Sequence, residues 1–393
     1  MPLSTRHVVV FCEAGVRPVA DIVSLPAWLR RRAPSSLRGA VRRGRIKKRR
    51  IPGPPPAADP EVLADVAQQL LGGPARSYQH ATVSGYKEGT AFVVWLNGSS
   101  GQTVSLVFKD VDLSPEGYPA VVGFPGRPGL PEAGMYGSPT PALEPFLPKA
   151  HAHVELKPDE HYQYFLEDLN TTYRWGFNDD DMLWAVDRLL EVSSAVAGWI
   201  EVNPDAEIIR YDGDFPEQFV AYAKDALSRF ADRTGEAHAR ELIDRWDAVA
   251  GLYLDETPDL ADDAVHGDYR RDNLFHHRTD PTMLKGVDWE FSGWGGLHND
   301  LASLLKMASS ETARTALERV SDARPQRSYE EHRRLYERCR LERGLLDAAL
   351  VANQRLAMAG TPTLSLTHFE RISDAQARLT GQGVRSPAEL GGV

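Results

Sequence analysis

The chain has 393 residues, of which 42% are hydrophobic and 25% are charged, as in ordinary soluble globular proteins. No apolar run approaches the roughly 20 residues of a membrane span, and the run Val8–Cys12 is too short for a secretion signal. The two cysteines, Cys12 and Cys339, are too far apart in sequence to indicate a disulfide framework or a zinc site. We therefore expect a cytoplasmic protein, long enough for two lobes.

The net charge of −10 hides a strong asymmetry. Residues 1–51 contain 13 Lys and Arg against two acidic residues, whereas the rest contains 32 against 53. A basic run, Arg42–Arg50, could contact nucleic acid or an anionic surface. A disordered tail and an upstream start codon are the alternative interpretations. Because prolines follow it, we treat residues 1–56 as a separate N-terminal extension.

The elements after this extension begin with a helix from Asp59 that ends at Gly72. Alternating apolar residues then predict strands over Ala81–Ser84, Ala91–Leu96 and Val104–Phe108. Further along, capping and 3.6-residue periodicity predict a mainly helical region. Its helices are predicted after Asn178–Asp181 and over Phe219–Ala231, His238–Leu254, Ala302–Val320, Tyr329–Asn353 and His368–Leu379.

The strongest chemical signal is the run His266–Asn273, followed by Asp288. Two apolar runs, Leu274–Phe275 and Leu284–Val287, bracket a polar loop and predict a β-hairpin. One carboxylate, Asp268, would orient and deprotonate an acceptor hydroxyl. The amide oxygen of Asn273 and the carboxylate of Asp288 would hold Mg²⁺ against nucleotide phosphates. A hairpin with solvated acidic side chains is the alternative.

A lysine at the end of the third predicted strand extends this pattern. Lys109 follows the apolar run Leu106–Phe108, and its ammonium is a point charge suited to the α- and β-phosphates of a nucleotide. Such a lysine requires an acidic partner that fixes its rotamer.

The motif His266-Gly-Asp268-x-x-x-x-Asn273, with Gly286-Val-Asp288-Trp-Glu, resembles the aminoglycoside phosphotransferase and choline kinase family of protein-kinase-like small-molecule kinases. The resemblance covers roughly residues 78–305. It implies an α+β, bilobal protein-kinase-like fold that uses ATP and Mg²⁺. The small N-lobe, with an antiparallel sheet, would span residues 57–166, and the larger, mainly helical C-lobe would span residues 167–393.

The same resemblance assigns the nucleotide-binding residues of the N-lobe. The loop containing Gly85, Gly89 and Thr90 would cover the phosphates, since glycine lets the backbone approach closely. Glu132 would pair with Lys109, as in the family's Glu-x-x-x-Tyr helix.

Two features weaken the assignment of Glu132. Gly134 is a poor helix former, and the Pro/Gly-rich stretch from Pro115 to Pro131 is longer than expected. Glu116 and Glu144 are alternative partners.

Further roles follow from the resemblance in the C-lobe. Backbone groups of Leu166, Glu167 and Asp168 would contact the purine at the hinge between the lobes. His266 would organise the catalytic loop, and Asp300 would brace it by accepting backbone hydrogen bonds. Trp199 stands where the family often has a histidine.

The expected function is transfer of the ATP γ-phosphoryl group to a hydroxyl of a small molecule, such as an antibiotic, an amino alcohol or a sugar. A cationic acceptor fits the acidic body of the chain, although long-range attraction is not specific. A nucleotide-binding pseudokinase that acts through its basic N-terminal segment is the alternative, as is a nucleic-acid-binding protein. The intact set of Lys109, Asp268, Asn273 and Asp288 argues against a pseudokinase.

Overall fold

The computed structural model describes residues 50–83, 90–175, 178–255, 263–280, 282–357 and 366–381. The chain divides into two units, residues 1–51 and 52–393, and the account below concerns the second. The predicted basic run up to residue 49 and residues 85–89 of the predicted phosphate loop, Gly85–Thr90, lie outside the described residues. Among the helices that are described, none is long and apolar enough to cross a membrane.

The N-terminal half of the fold is built on a six-stranded sheet with the spatial order β1-β2-β3-β4-β6-β5. Its strands are β1 (Ile51–Pro52), β2 (Ala75–Thr82), β3 (Ala91–Gly98), β4 (Thr103–Asp112), β5 (Ala150–Lys157) and β6 (His161–Glu167). The pairs from β2 onward are antiparallel. We expected β4 to end at Lys109, but it continues to Asp112 because its last residues pair with the start of β6 at His161.

Helix α1 (Pro60–Leu71) has the predicted ends. The carboxylate of Asp59 accepts hydrogen bonds from the first-turn N–H groups of Glu61 and Val62, at 2.9 and 3.1 Å. Gly72 ends the helix in the left-handed conformation, with φ of 68°. The buried face of α1 packs with apolar side chains of β3, β4 and β6 in one core cluster.

The rest of the described chain is mainly helical, as predicted. Its helices are α2 (Leu130–Gly137), α3 (Asp179–Val202), α4 (Phe215–Thr234), α5 (Ala237–Asp244), α6 (Trp246–Asp255), α7 (Leu297–Leu304), α8 (Ser310–Ala323), α9 (Tyr329–Ala357) and α10 (Leu366–Leu379). At the start of α3, the side chains of Asn178 and Asp181 each bond the other's backbone N–H in a capping box.

Two predicted helices are each divided in the structure. The segment predicted as His238–Leu254 forms α5 and α6, because the N–H of Arg245 closes α5 on the carbonyls of Leu242 and Ile243. The segment predicted as Ala302–Val320 breaks after the 3₁₀ turn Leu305–Met307. There the side chain of Ser309 caps α8 by accepting the backbone N–H of Thr312, at 3.1 Å. A serine that accepts a backbone N–H three residues further along favours the start of a new helix.

Two three-stranded sheets lie among the helices. One, in the order β11-β10-β7, consists of β7 (Tyr173–Trp175), β10 (Leu274–His277) and β11 (Leu284–Gly286). The other, in the order β8-β12-β9, consists of β8 (Ile209–Arg210), β9 (Asp263–Val265) and β12 (Gly293–Gly295). The antiparallel pair β10–β11, with Leu274 opposite Gly286, is the predicted hairpin. The fold is therefore α+β, as predicted.

Candidate active site

Lys109 lies between two carboxylates, on the inner strand β4, where it is opposite Ala91 of β3 and Tyr164 of β6. Its ammonium Nζ is 2.7 and 3.0 Å from the two carboxylate oxygens of Glu132, and 3.0 Å from Oδ1 of Asp288. Glu132 is only 1% exposed. Burial raises the pKa of Glu132, and the neighbouring Lys109 opposes that rise. The strand β4 and the helix α2 thus bring together two of the residues predicted to bind the nucleotide.

A close contact with α3 explains why Glu132 is on a helix despite the glycine beside it. A Cβ atom on Gly134 would lie 2.9 Å from the indole ring of Trp199. The same indole donates a hydrogen bond from Nε1 to the carbonyl of Ser138, at 2.8 Å, just beyond the end of α2. Gly134 lowers the helix propensity, but it admits the ring that fixes the position of α2.

The segment from His266 to Tyr269, the start of the predicted catalytic loop, is held from beneath by one buried carboxylate. Asp300, on the first turn of α7, accepts hydrogen bonds from the backbone N–H groups of His266 at 2.7 Å, Gly267 at 2.9 Å and Tyr269 at 3.4 Å. Burial raises the pKa of Asp300 to about 7, although these three donors act in the opposite direction. The geometry is the one expected of a residue that braces the loop.

Gly267 meets a second constraint. Its φ is +80°, a value that side chains rarely adopt, and a Cβ atom there would lie 2.0 Å from the carbonyl oxygen of Phe291. Only glycine therefore fits at the residue before Asp268.

The carboxylate of Asp268 lies beside three nitrogen-bearing side chains, two of which donate hydrogen bonds to it. Oδ1 accepts a short hydrogen bond from Nη2 of Arg343, while Oδ2 accepts one from Nδ2 of Asn273 at 2.8 Å. Nε of Arg270 lies 3.1 Å from Oδ2. Arg343 also donates from Nη1 to the carbonyl of Gly267, at 2.7 Å. Arg270 Nε makes no hydrogen bond there. A carboxylate has about four lone-pair positions, so the two hydrogen bonds leave room for a further group.

Asn273 is oriented by two acceptors. Its Nδ2 donates to the backbone carbonyl of Asp268 at 3.1 Å as well as to the Asp268 carboxylate, so the NH₂ group faces these oxygens. Oδ1 is then the remaining acceptor, and no hydrogen bond reaches it from the described residues. Its backbone carbonyl accepts the N–H of Val287 at 2.9 Å, which ties Asn273 to the segment just before Asp288.

His266 is fully buried and lies against Trp289, with ring centroids 4.2 Å apart. Its Nδ1 accepts the backbone N–H of Asp268 at 3.3 Å. Burial lowers the pKa of His266 to about 4, so the ring is neutral at pH 7. A neutral ring that accepts the Asp268 N–H and packs on Trp289 fits the expected role of organising the loop.

Asp288 has an unusual backbone conformation, with φ of 63° and ψ of 58°. A non-glycine residue held there costs of the order of 1–3 kcal/mol and is often found at a functional site. The 3₁₀ turn Trp289–Phe291 follows at once, and the indole N–H of Trp289 donates to the carbonyl of Gly286 at 2.9 Å. The turn directs the Asp288 side chain to Lys109.

Glu290 is a residue of this site that the sequence analysis did not single out, although it lies within the quoted motif. Its carboxyl accepts a hydrogen bond from the hydroxyl of Tyr118, at 2.8 Å. Burial is the main reason that the pKa of Glu290 rises to about 8; Lys109 lowers it, while Asp288 raises it. Tyr118 belongs to the long Pro/Gly-rich stretch between Pro115 and Pro131, so this stretch contributes a hydrogen-bond donor to the site.

Arg343 and Arg270 were also missed. Arg343 lies in the middle of α9, and no pattern in a helical sequence indicates that one arginine will reach a loop 75 residues earlier. Arg270 lies inside the motif, two residues after Asp268, where a basic side chain beside the carboxylate is a usable signal.

The predicted hinge is the end of β6 and the turn after it. Leu166 and Asp168 are buried, and Asp168 caps the turn Leu169–Thr171 by accepting the N–H of Asn170 at 3.1 Å. The N–H of Glu167 donates to the carbonyl of Lys149 at 2.8 Å, so this donor is already used within the protein. Any purine contact must therefore use other backbone groups.

Of the predicted loop over the phosphates, the structure describes Thr90 alone. Its carbonyl accepts the N–H of Asp110 at 2.7 Å, which places it beside the strand position of Lys109. Gly85 and Gly89 lie outside the described residues.

The side chains predicted to hold Mg²⁺ fit that ion. Asn273 offers a free amide oxygen and Asp288 a carboxylate, and Mg²⁺ in kinases takes one or two such ligands together with nucleotide phosphates and water. Within the described part of the chain, no group of three or more His, Cys, Asp or Glu side chains could hold a metal ion.

Comparison with known proteins places this geometry in a family. The model of the phosphotransferase enzyme family matches residues 147–351, more than half of the chain. None of the curated proteins compared with this chain matches it.

Several solved structures are similar. The choline kinase LicA from Streptococcus pneumoniae is 12% identical and has a TM-score of 0.53, with 82% of this chain and 98% of that one covered. An aminoglycoside-3'-phosphotransferase of type VIII is 16% identical, with a TM-score of 0.43 and coverages of 73% and 99%. A choline/ethanolamine kinase family protein from Mesorhizobium loti is 14% identical, with a TM-score of 0.46 and coverages of 83% and 94%. The likeness to LicA shows a shared fold, and the family match covers the Asp268, Asn273 and Asp288 motif: the chain belongs to the phosphotransferase enzyme family.

Proposed function

We propose that this phosphotransferase moves the γ-phosphoryl group of Mg-ATP to a hydroxyl group of a small molecule. One observation carries the proposal. Lys109 bonds both Glu132 and Asp288, and Asp288 follows a segment that is hydrogen-bonded to Asn273, the partner of Asp268. Groups for the nucleotide and for the acceptor therefore meet in one place.

On the nucleotide side, Lys109 would contact the α- and β-phosphates while Glu132 fixes its direction. Asp288 and Asn273 would hold Mg²⁺. The ion would offset the negative charge of the phosphates, which the carboxylates of Glu132 and Asp288 would otherwise repel. The backbone near Leu166 and Asp168 would contact the base.

On the acceptor side, the remaining lone pair of Asp268 would receive the acceptor O–H. A bond forms between the acceptor oxygen and the γ-phosphorus as the bond from that phosphorus to the β–γ bridging oxygen breaks. ADP leaves, and the hydroxyl proton passes to Asp268. Because two hydrogen bonds and the nearby Arg270 already fix this carboxylate, its main contribution would be to hold the acceptor in line for transfer.

The division of the chain belongs to the same proposal. Residues 57–166 would form the N-lobe and residues 167–393 the C-lobe, with residues 1–56 as an extension whose contact with nucleic acid or an anionic surface is a separate question. We place the reaction in the cytoplasm, where ATP is available.

The test measures ADP release from Mg-ATP with a panel of hydroxyl compounds: aminoglycosides, choline, ethanolamine, homoserine, sugars and sugar acids. Turnover on one class that falls at least a hundredfold in Asp268→Asn supports the proposal, provided that Mg-ATP still raises the melting temperature of the variant. Asp272→Asn is the matched control, because this side chain lies in the same loop and is 51% exposed.

Two results would overturn the proposal. Asp268→Asn with wild-type turnover would remove the role of that carboxylate. A chain that neither binds Mg-ATP nor releases ADP with any compound would not be a kinase.

A further inference from the structure

A group of basic side chains lies directly behind Asp268. Four cations surround two carboxylates, and we call the six residues the acceptor-side cluster: Arg270, Lys306, Arg343, Arg371, Asp268 and Asp347. They come from the catalytic loop, the turn after α7, and the helices α9 and α10.

The cluster is connected through α9. Arg343 and Asp347 are one turn apart and lie on the same face of that helix. Arg343 bonds Asp268, while Asp347 accepts a short hydrogen bond from Lys306 and lies 3.8 Å from Nη1 of Arg371. One continuous charged surface therefore runs from the proposed acceptor position to α10.

Three of the four cations reach solvent more than the carboxylates do, while the side chain of Arg343 is only 10% exposed. The side chain of Arg270 is 41% exposed, and those of Lys306 and Arg371 are 26% and 25% exposed. Those of Asp268 and Asp347 are 9% and 14% exposed. A molecule that approaches Asp268 from solvent meets positive charge first.

Arg270 in particular has donors to spare. Its guanidinium contacts Asp268 through Nε alone, and within the described residues neither of its terminal nitrogens has a hydrogen-bond partner. A planar pair of N–H groups matches the two oxygens of a carboxylate or a phosphate.

We propose that the acceptor carries an anionic group, a carboxylate or a phosphate, in addition to the hydroxyl that is phosphorylated. Arg270 binds that group beside Asp268, with Lys306 and Arg371 behind it. This inference rests on the proposed function and names its substrate class. It is the opposite of the cationic acceptor that the overall charge favours.

The experiment compares neutral compounds with anionic twins on the full chain, saturated with Mg²⁺ and a non-hydrolysable ATP analogue so that the nucleotide site is filled. Glycerol is paired with glycerate and with glycerol 3-phosphate, and glucose with gluconate and glucose 6-phosphate; choline and an aminoglycoside represent cations. Titration calorimetry gives each Kd. We expect an anionic twin to bind at least tenfold more tightly than its neutral counterpart, and the carboxylate and phosphate arms show which anion is preferred.

The variant Lys306→Met should reduce this preference severalfold. Lys224→Met is the matched control, since Lys224 is half-exposed and contacts only an exposed Asp247, at 3.9 Å, and it should keep the wild-type preference. Arg270→Gln should remove the preference while the Kd for the nucleotide analogue stays the same.

The inference is overturned if no anionic twin binds more tightly than its neutral counterpart, or if choline or the aminoglycoside binds most tightly. In that case the analogue would still bind, and transfer to a neutral or cationic hydroxyl would leave the proposed function standing. Failure to bind the analogue would instead contradict the proposed function.

Discussion

Arg343 bonds both the side chain of Asp268 and the backbone carbonyl of the residue before it, Gly267. One terminal nitrogen donates to the Asp268 carboxylate and the other to the carbonyl of Gly267, at 2.7 Å. The arginine is 8% exposed and reaches the loop from the long helix α9. This buried ion pair ties the position of the catalytic loop to the packing of the C-lobe.

The first prediction concerns this pair. Arg343→Met should lower the free energy of unfolding by about 3–5 kcal/mol, because removal of one partner leaves a buried carboxylate with less compensation. ADP release should fall by more than tenfold even at temperatures where the variant is folded. Thermal melts and kinetics check this. Arg343→Lys separates charge from geometry: it keeps the charge but cannot bond two oxygens as a fork does, so an unimpaired Lys variant would contradict the role given to the fork.

The second prediction concerns Lys109. In Lys109→Met, Glu132 and Asp288 lose their shared cation, and the pKa of Glu132 should rise further because burial and the nearby Asp288 both raise it and the main opposing group is gone. A raised pKa favours the neutral carboxyl, so the loss of stability should be small compared with the loss of nucleotide affinity. We expect the Kd for Mg-ATP to increase by roughly 10–100-fold. Unchanged affinity would show that Lys109 does not contact the phosphates.

The third prediction uses two glycines with positive φ. Gly267→Ala places a methyl group 2.0 Å from the carbonyl oxygen of Phe291, whereas Gly213→Ala, with φ of +59°, meets no atom within 4 Å. Both variants should lose about 1–2 kcal/mol for the left-handed backbone. Gly267→Ala should lose about 1–3 kcal/mol more for the clash, together with most turnover. Equal losses in denaturant melts would mean that the loop shifts at little cost.

The sequence was sufficient to predict the hairpin and many helix ends, and among the residues predicted for the site are Lys109, Glu132 and Asp288, which the structure brings together. Local signals carry these features: Asp59 and Gly72 at the ends of α1, and the apolar runs of β10 and β11. The Glu132 helix was the weakest prediction, because Gly134 looks unfavourable until Trp199 of α3 is seen against it.

The residues that the sequence did not reveal act across long separations. Arg343 is 75 positions from Asp268, and Tyr118 is 172 positions from Glu290. No periodicity or cap marks such contacts, since they depend on how helices pack in three dimensions. The breaks at Arg245 and Ser309 were missed for a different reason: apolar periodicity continues across both.

The last prediction concerns a pair of buried histidines away from the site. Nε2 of His332 lies 3.0 Å from the carbonyl of Arg324, which can only accept, so this nitrogen carries the proton. Nδ1 of neutral His332 must then accept from Nε2 of His298, 2.9 Å away.

Burial lowers the pKa of His298 to about 3, against an ordinary value of 6.5. The unfolded chain therefore binds a proton below pH 6.5 that the folded chain does not, and stability should fall as the pH falls from 6.5 toward 3. For one proton the slope approaches about 1.4 kcal/mol per pH unit.

His298→Asn is expected to be less stable than the wild type at pH 7 but to lose stability less steeply between pH 6.5 and 4.5. The two slopes should differ by up to about 1.4 kcal/mol per pH unit. Denaturant melts across this range measure it, with His238→Asn as the control, since this ring is about half-exposed. Because His266 is also buried and has a lowered pKa, the wild type and His298→Asn should both still lose some stability as the pH falls. Parallel pH profiles for the wild type and His298→Asn would show that the His298–His332 pair accepts a proton without unfolding.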